Sequence, residues 1–264
     1  MIAVDDPADP RVAAYRDIRE RDLVGREGRF VAEGEVVLRM LAGSRLHRAE
    51  SVLIDPKRAD KLGPVLAGFG PEVPVYAASQ AVIDAIAGFH LHRGILAIGV
   101  RGPEPEPAEL LAGLPEGSVA LVLFGIANHD NMGGLFRNAA AFGAGAVLLD
   151  PDCCDPLYRK AIRVSVGHVL TTPFARFAGD PLPMLQAAGF EPLALTPEGA
   201  TPLSALKPPP KAAVLLGTEG EGLPATVIAH ARAVAIPMAA GVDSLNVAVT
   251  AGIVLHHLRY GAQA

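Results

Sequence analysis

The sequence has no tryptophan, only two cysteines, and aromatic residues at 5%. The cysteines are the neighbours Cys153 and Cys154, which cannot build a disulfide framework, and a zinc site would need more ligands than this pair. No metal site is expected. No stretch reaches the eighteen or more uninterrupted apolar residues that a membrane span needs. The first thirty residues are charged throughout, unlike a signal peptide. These absences point to the cytoplasm and away from membranes.

A surplus of positive charge is also missing, because 23 Lys and Arg face 28 Asp and Glu for a formal net charge of -5. Phosphate neutralisation supplies much of a nucleic-acid binder's affinity, so this balance argues against a sequence-blind binder of long duplex. It leaves room for a local basic face, since steering depends on where the charges lie. Six arginines (Arg11, Arg16, Arg19, Arg21, Arg26 and Arg29) crowd one short tract, whereas residues 103–116 carry four glutamates and no base. What the chain does have is apolar content. Half of its 264 residues are hydrophobic, too many for a disordered chain and enough for two modest globular domains.

The sharpest break in composition is residues 101–118, where prolines at 103, 105, 107 and 115 alternate with glutamates. Such a run favours an extended, stiff connector. It divides the chain into an N-terminal domain over 1–100, a linker over 101–118 and a C-terminal domain over 119–264. The first part reads as a small α/β unit. Helical patterns fall at 10–22, 33–43 and 80–88, and short strands at 51–56, 73–78 and 94–100. After the linker, apolar strands alternate with helices. Residues 119–126 and 146–150 suit buried parallel strands, 133–143 and 158–170 helices, and 244–259 a long last helix. That alternation marks an open, mostly parallel sheet, in which ligands sit at the carboxyl ends of the strands.

Three polar insertions occupy such ends. The first runs from Gly125 to Asn138; Asn131 and Gly133 are suited to turn the chain between strand and helix. Arg137 follows among Leu135, Phe136 and Ala139, and a charge near an apolar core wants a phosphate or carboxylate partner. The second, Gly217 to Leu223, is glycine-rich but lacks the dinucleotide fingerprint and the phosphate-loop Lys-Ser/Thr. Its acids, Glu219 and Glu221, would repel a pyrophosphate and better suit a ligand with an amine or sulfonium. The third runs from Ile236 to Val247, with Ser244 placed to cap the last helix and Asn246 an isolated hydrogen-bonding group at its first turn.

In this order the three segments resemble the signature motifs of the SpoU/TrmH branch of the SPOUT RNA methyltransferases. Asn131, Gly133 and Arg137 match N-x-G-x-x-x-R. Gly217, Glu219, Gly220, Glu221 and Gly222 match the glycine–glutamate loop, and Ile236, Pro237, Met238, Ser244, Leu245 and Asn246 the last motif. Ser165-Val166-Gly167 and Pro173-Phe174 are similar to the family's central helix and following strand, and residues 30–34 to the opening of the small ribosomal-protein-like domain that many members carry. The resemblance implies an α/β fold with a trefoil-knotted, parallel-sheet C-terminal domain, a shape that periodicity does not suggest and general chain rules disfavour. It implies S-adenosylmethionine held at the knot, a homodimer that completes the active site, and RNA as substrate, with large-subunit ribosomal RNA favoured over transfer RNA.

The implied reaction is methyl transfer to a ribose 2′-hydroxyl, with Arg137, Asn131, Glu219, Ser244 and Asn246 as catalytic residues. Leu216, Gly217, Gly220, Ile236, Met238, Leu245 and Asn246 would bind the cofactor, and the six N-terminal arginines the RNA. A guanidinium is a poor general base at neutral pH. Arg137 is therefore read as holding a phosphate and polarising the hydroxyl, with proton abstraction in a special environment as the other version. Two rivals remain: a knotted RNA-binding scaffold without catalysis, against which every motif position is present, and a nicotinamide oxidoreductase, against which the phosphate loop is absent.

Overall fold

The computed structural model describes residues 1–16, 28–91, 94–218 and 220–261. They divide into two compact units: Met1–Pro103 with Asp155–Thr171, and Glu104–Cys154 with Thr172–Ala264. In the first, the chain runs β1 (Ile2–Ala3), a 3₁₀ turn (Pro10–Tyr15), β2 (Arg29–Glu33), α1 (Glu35–Ala42), β3 (Arg48–Ile54), α2 (Ala59–Leu66), β4 (Val75–Ala77), α3 (Gln80–Ala87) and β5 (Ile95–Val100). The strands form one mixed sheet in the order β1-β4-β3-β5-β2, with β5 antiparallel to both neighbours. Val31, Leu53, Ile83, Leu96 and Ile98 are buried in its core.

Local chemistry explains the ends. Ser79 caps α3 by accepting from the Val82 N–H, and Gly88 closes it with a left-handed φ of 75°. The expected helix over 33–43 begins only at Glu35, because β2 runs to Glu33 and Gly34 turns at φ 89°. The expected helix over 10–22 is, in its described part, a 3₁₀ turn that stops at an extended Arg16; residues 17–22 lie outside the described residues. Strand β2 and helix α2 were not expected. β2 pairs with β5 over its whole length, and α2 carries an internal Pro64 that disguises it.

The second unit continues with α4 (Pro107–Ala112), β6 (Val119–Leu123), α5 (His129–Ala141) and β7 (Ala146–Leu149). Helix α6 (Arg159–Val164) follows, in the stretch that belongs to the first unit. The second unit resumes with β8 (Phe174–Arg176), α7 (Leu182–Ala187), β9 (Glu191–Leu195), β10 (Thr201–Pro202), β11 (Ala212–Leu216), α8 (Ala225–Ala229), β12 (Arg232–Ala235) and α9 (Val247–Tyr260). Its sheet has the order β10-β12-β9-β11-β6-β7-β8 and every described pairing is parallel. The near-continuous apolar runs of β6, β7 and β11 are wholly buried apart from the first residue of β6, as strands covered on both faces should be.

Two features depart from the boundaries read in the sequence. The proline-rich stretch is not wholly extended: α4 starts at Pro107, in the first turn where a missing N–H breaks no helical bond, and buries Leu111. The C-terminal domain is not contiguous either. Within the first unit, Arg159 pairs with Glu33 at 2.8 Å and lies 4.7 Å above the Phe89 ring, Asp155 pairs with Arg101, and Ser44 Oγ donates to the Leu170 carbonyl at 2.6 Å. The helix expected over 158–170 breaks after Val164, since Val166 (φ 56°) and Gly167 (φ 83°) both take left-handed conformations. A β-branched residue is rarely found there. Gly167 is required, because a Cβ on it would sit 2.9 Å from Met40 Cβ.

His47 ties this unit's stability to pH. It is buried, with its ring edge-on to Phe30, and burial, followed by the nearby Arg101 charge, pushes its pKa from 6.5 down to about 4. Between those values the unfolded chain takes up a proton that the folded protein refuses, so stability is full above pH 6.5 and declines as pH falls towards 4. Thermal unfolding across that window should show the decline, and His47→Asn should flatten it. An equal slope in the variant would assign the loss to other groups.

Candidate functional site

The three motif loops leave β6, β11 and β12, which carry them to the carboxyl ends of the parallel sheet. After β6, Gly125 turns with φ 63° and its N–H donates to both oxygens of Asp150 at 3.0 Å. Asn128 caps α5 by accepting from the Asp130 and Asn131 N–H groups. Asn131 and Gly133 thus lie inside the helix, not in the turn expected of them. The helix starts earlier than its apolar pattern because its first turn is polar.

After β11, the chain folds back on itself. Thr218 N–H donates to the Gly222 carbonyl at 3.2 Å, and Thr218 Oγ1 accepts from the N–H groups of Glu221 and Gly222. Gly217 has no room for a side chain, since a Cβ would lie 2.1 Å from the Gly222 carbonyl carbon. Glu219 lies outside the described residues.

After β12, residues 236–246 lead to α9. Its cap is Asn246, not Ser244: Asn246 Oδ1 accepts from Ala248 and Val249 N–H at 2.9 and 3.3 Å. The same side chain donates through Nδ2 to Asn131 Oδ1 at 2.8 Å. One amide thus caps the third motif's helix and fastens it to the first motif's helix. That explains why a strongly hydrogen-bonding group sits at the start of an apolar helix.

Between the second and third of these loops lies a cleft of about 600 Å³. Leu216, Gly217, Gly220, Ile236, Met238, Leu245 and Asn246 all line it, as does Ser244. Thr196 and Pro197, at the end of β9, line it too and were missed by sequence reasoning; only their place just after a strand could have pointed to them. Arg137 and Asn131 are not among the lining residues. Asn131 is buried. Arg137 is exposed on a helix whose other side is buried, and among the described residues it makes no ion pair. No carboxylate of the described residues pairs with it, because α5 turns it outward.

The other sequence-derived candidates are not among the residues that line the cleft. Cys153 is buried with its Sγ accepting from Ile126 N–H, and burial pushes the thiol up to about 12, so it stays protonated and unreactive at neutral pH. Among the N-terminal arginines, Arg11 pairs with Asp9, Arg16 donates to the carbonyls of Pro7 and Asp9, and Arg29 pairs with Glu50. Arg19, Arg21 and Arg26 lie outside the described residues. Among the described residues no cluster of His, Cys, Asp or Glu could hold a metal ion, and no helix is long and apolar enough to cross a membrane.

A parallel α/β sheet whose glycine and asparagine loops frame one cleft at its strand ends defines a ligand-binding α/β domain. Sequence comparison narrows the class: the profile of the SpoU rRNA Methylase family matches residues 118–256, and the chain belongs to that family. A Mycobacterium tuberculosis protein described as an uncharacterized tRNA/rRNA methyltransferase is 40% identical over 267 residues, which cover 95% of this chain and 89% of the relative. The Salmonella typhimurium 23S rRNA (guanosine-2′-O-)-methyltransferase RlmB is 30% identical over 79% of this chain and 88% of its own. Among solved structures, an RNA 2′-O ribose methyltransferase superposes with a TM-score of 0.75 at 26% identity, covering all of both chains.

Proposed function

We propose that this protein transfers a methyl group from S-adenosylmethionine to a ribose 2′-hydroxyl of RNA in the cytoplasm, with large-subunit ribosomal RNA as the substrate class. One observation carries the reading: the seven residues that the motifs assign to the cofactor line a single cleft at the strand ends of a SpoU-family domain. The cleft suits that cofactor. Apolar Leu216, Ile236, Met238 and Leu245 would face the adenosine, backbone around Gly217 and Gly220 can approach it closely, and Asp243 sets an acid where a cationic ligand would lie. S-adenosylmethionine would supply a methyl group already activated on a sulfonium sulfur.

The chain's own residues then have to align the acceptor and help its proton leave. A guanidinium is a planar, forked donor and a poor proton acceptor, so Arg137 acts as a donor to the ribose oxygen and neighbouring phosphate. Asn131 and Asn246 hold the two motif helices together, and Ser244 and Glu219 orient the ribose and the methionine end.

Arg137 is exposed and does not line the cleft of its own chain, and Leu245, Val249, Ile253 and Tyr260 are exposed apolar groups at the start and along the length of α9. Both facts support a homodimer in which Arg137 serves the partner's cleft. A trefoil knot is supported by the contact of α9 with the segment after β10, where His257 Nε2 bonds the Leu206 carbonyl at 2.8 Å. RNA contacts from Arg11, Arg16, Arg19, Arg21, Arg26 and Arg29 are supported by their clustering, and Arg11 and Arg29 stay 46% and 35% exposed at their side chains even while paired. The small mixed α/β unit that carries them fits a ribosomal-protein-like recruiting domain.

The deciding experiment incubates the protein with tritiated S-adenosylmethionine and, separately, ribosomal and transfer RNA. Label in alkali-resistant dinucleotides is expected from the ribosomal RNA. Label confined to bases would sink the ribose assignment, and no label with intact cofactor binding would favour a scaffold.

A further inference from the structure

Asn131 and Asn138 are seven residues apart on α5, two helical turns, so their amides share one face. That face meets α9. Asn131 takes the bond from Asn246, and Asn138 Nδ2 donates to the Ala248 carbonyl at 2.6 Å. Beside these bonds the helices meet with small residues in contact. A Cβ on Gly134 would lie 2.8 Å from the Ala248 Cβ, and one on Gly252 would lie 3.4 Å from Asn138 Nδ2. Small residues let helices approach closely but give little shape to stop one sliding along the other. Here the directional bonds at the start of α9 supply that register.

We propose that Asn138 is a positioning residue for the methyl transfer: by pinning α5 to the backbone of α9 it sets where its neighbour Arg137 stands. The proposal rests on the reading of Arg137 as the group that acts on the acceptor. Two consequences separate it from a merely structural role. Loss of the amide donor should slow the transfer step without weakening either ligand, and it should do so only while Arg137 is present.

The test uses Asn138→Asp, which keeps the size but replaces the donor with an acceptor facing a carbonyl, and Asn138→Ala. Both are made in the full chain, alone and together with Arg137→Ala. Each single variant is expected to lower the single-turnover rate at saturating RNA by about ten- to a hundredfold, the range for a reacting group displaced by about an ångström. Cofactor affinity and the KM for RNA should stay within about twofold, the pattern of a defect confined to the transition state. Neither substitution should slow Arg137→Ala further. An equal loss in both backgrounds would overturn the proposal and leave the role of Arg137 standing. So would a full rate in a folded variant with a lowered melting temperature. A fully active Arg137→Ala would instead refute the underlying reading. If the alanine variant fails to fold, the nearly isosteric aspartate variant carries the test.

Discussion

Arg137→Ala and Arg137→Lys should both bind S-adenosylmethionine normally and lose the transfer rate by more than about a hundredfold, the scale for removing a positioned electrostatic group. Alanine removes the charge. Lysine keeps it but loses the planar fork that could hold a phosphate and the ribose oxygen together. Normal cofactor affinity is expected because the contacts proposed for Arg137 are with the acceptor ribose and phosphate and not with the cofactor. A single-turnover rate at saturating RNA, set beside a calorimetric affinity and circular dichroism, separates a transition-state defect from a binding defect. A fully active alanine variant would return Arg137 to the ordinary exposed arginines of a helix face and remove the mechanism built on it.

Gly217→Ala should damage cofactor binding, and Gly220→Ala should leave the fold alone. A Cβ at Gly217 would lie 2.2 Å from the Gly222 carbonyl oxygen and 2.4 Å from the Leu223 nitrogen. Both are backbone atoms that cannot rotate away. Opening the loop to make room disturbs the Thr218–Gly222 pairing that shapes one wall of the cleft. Overpacking of this kind costs about 1–3 kcal/mol, and if it falls on the bound state the affinity drops about ten- to a hundredfold. At Gly220 a Cβ meets nothing of the chain within 4 Å, so that variant is the control for melting temperature. Melting temperature and cofactor affinity measured on both proteins decide the matter. An unchanged melting temperature and affinity in Gly217→Ala would mean that the close approach at Gly217 is dispensable.

The walls of the cleft were legible because the residues that build them are odd for their surroundings. A glycine cluster after an apolar strand, or an asparagine opening an apolar helix, has no role in a core, so its presence points to a loop with work to do. The same logic failed where a residue's meaning depends on a distant neighbour. Ser244 and Asn246 are both good caps by type, and only the bond from Asn131 reveals why Asn246 holds the position. Arg137 looked close to the core because Leu135, Phe136 and Ala139 flank it in sequence, yet those three are buried while Arg137 is exposed. α4 was hidden because prolines read as breakers unless their place in the first turn is known. Periodicity reports that a face is buried, not what buries it. For that reason Asp155–Thr171 could not be assigned to the first unit from its own pattern.

That assignment has a consequence during synthesis. The ribosome releases residues 1–103 well before Asp155–Thr171, with about fifty residues of the second unit in between, a delay of about 3–10 s at ordinary elongation rates. Throughout it, the surface of α1 around Val37 and Met40 that will receive Gly167 stays open, and Glu33 lacks Arg159. The nascent protein therefore carries an unfinished, partly apolar face for seconds, the interval in which chaperones or misassembly compete for it. A gene trimmed to start after Pro103 would make the complementary error permanent, leaving Ile162, Val169 and Leu170 without the unit that covers them.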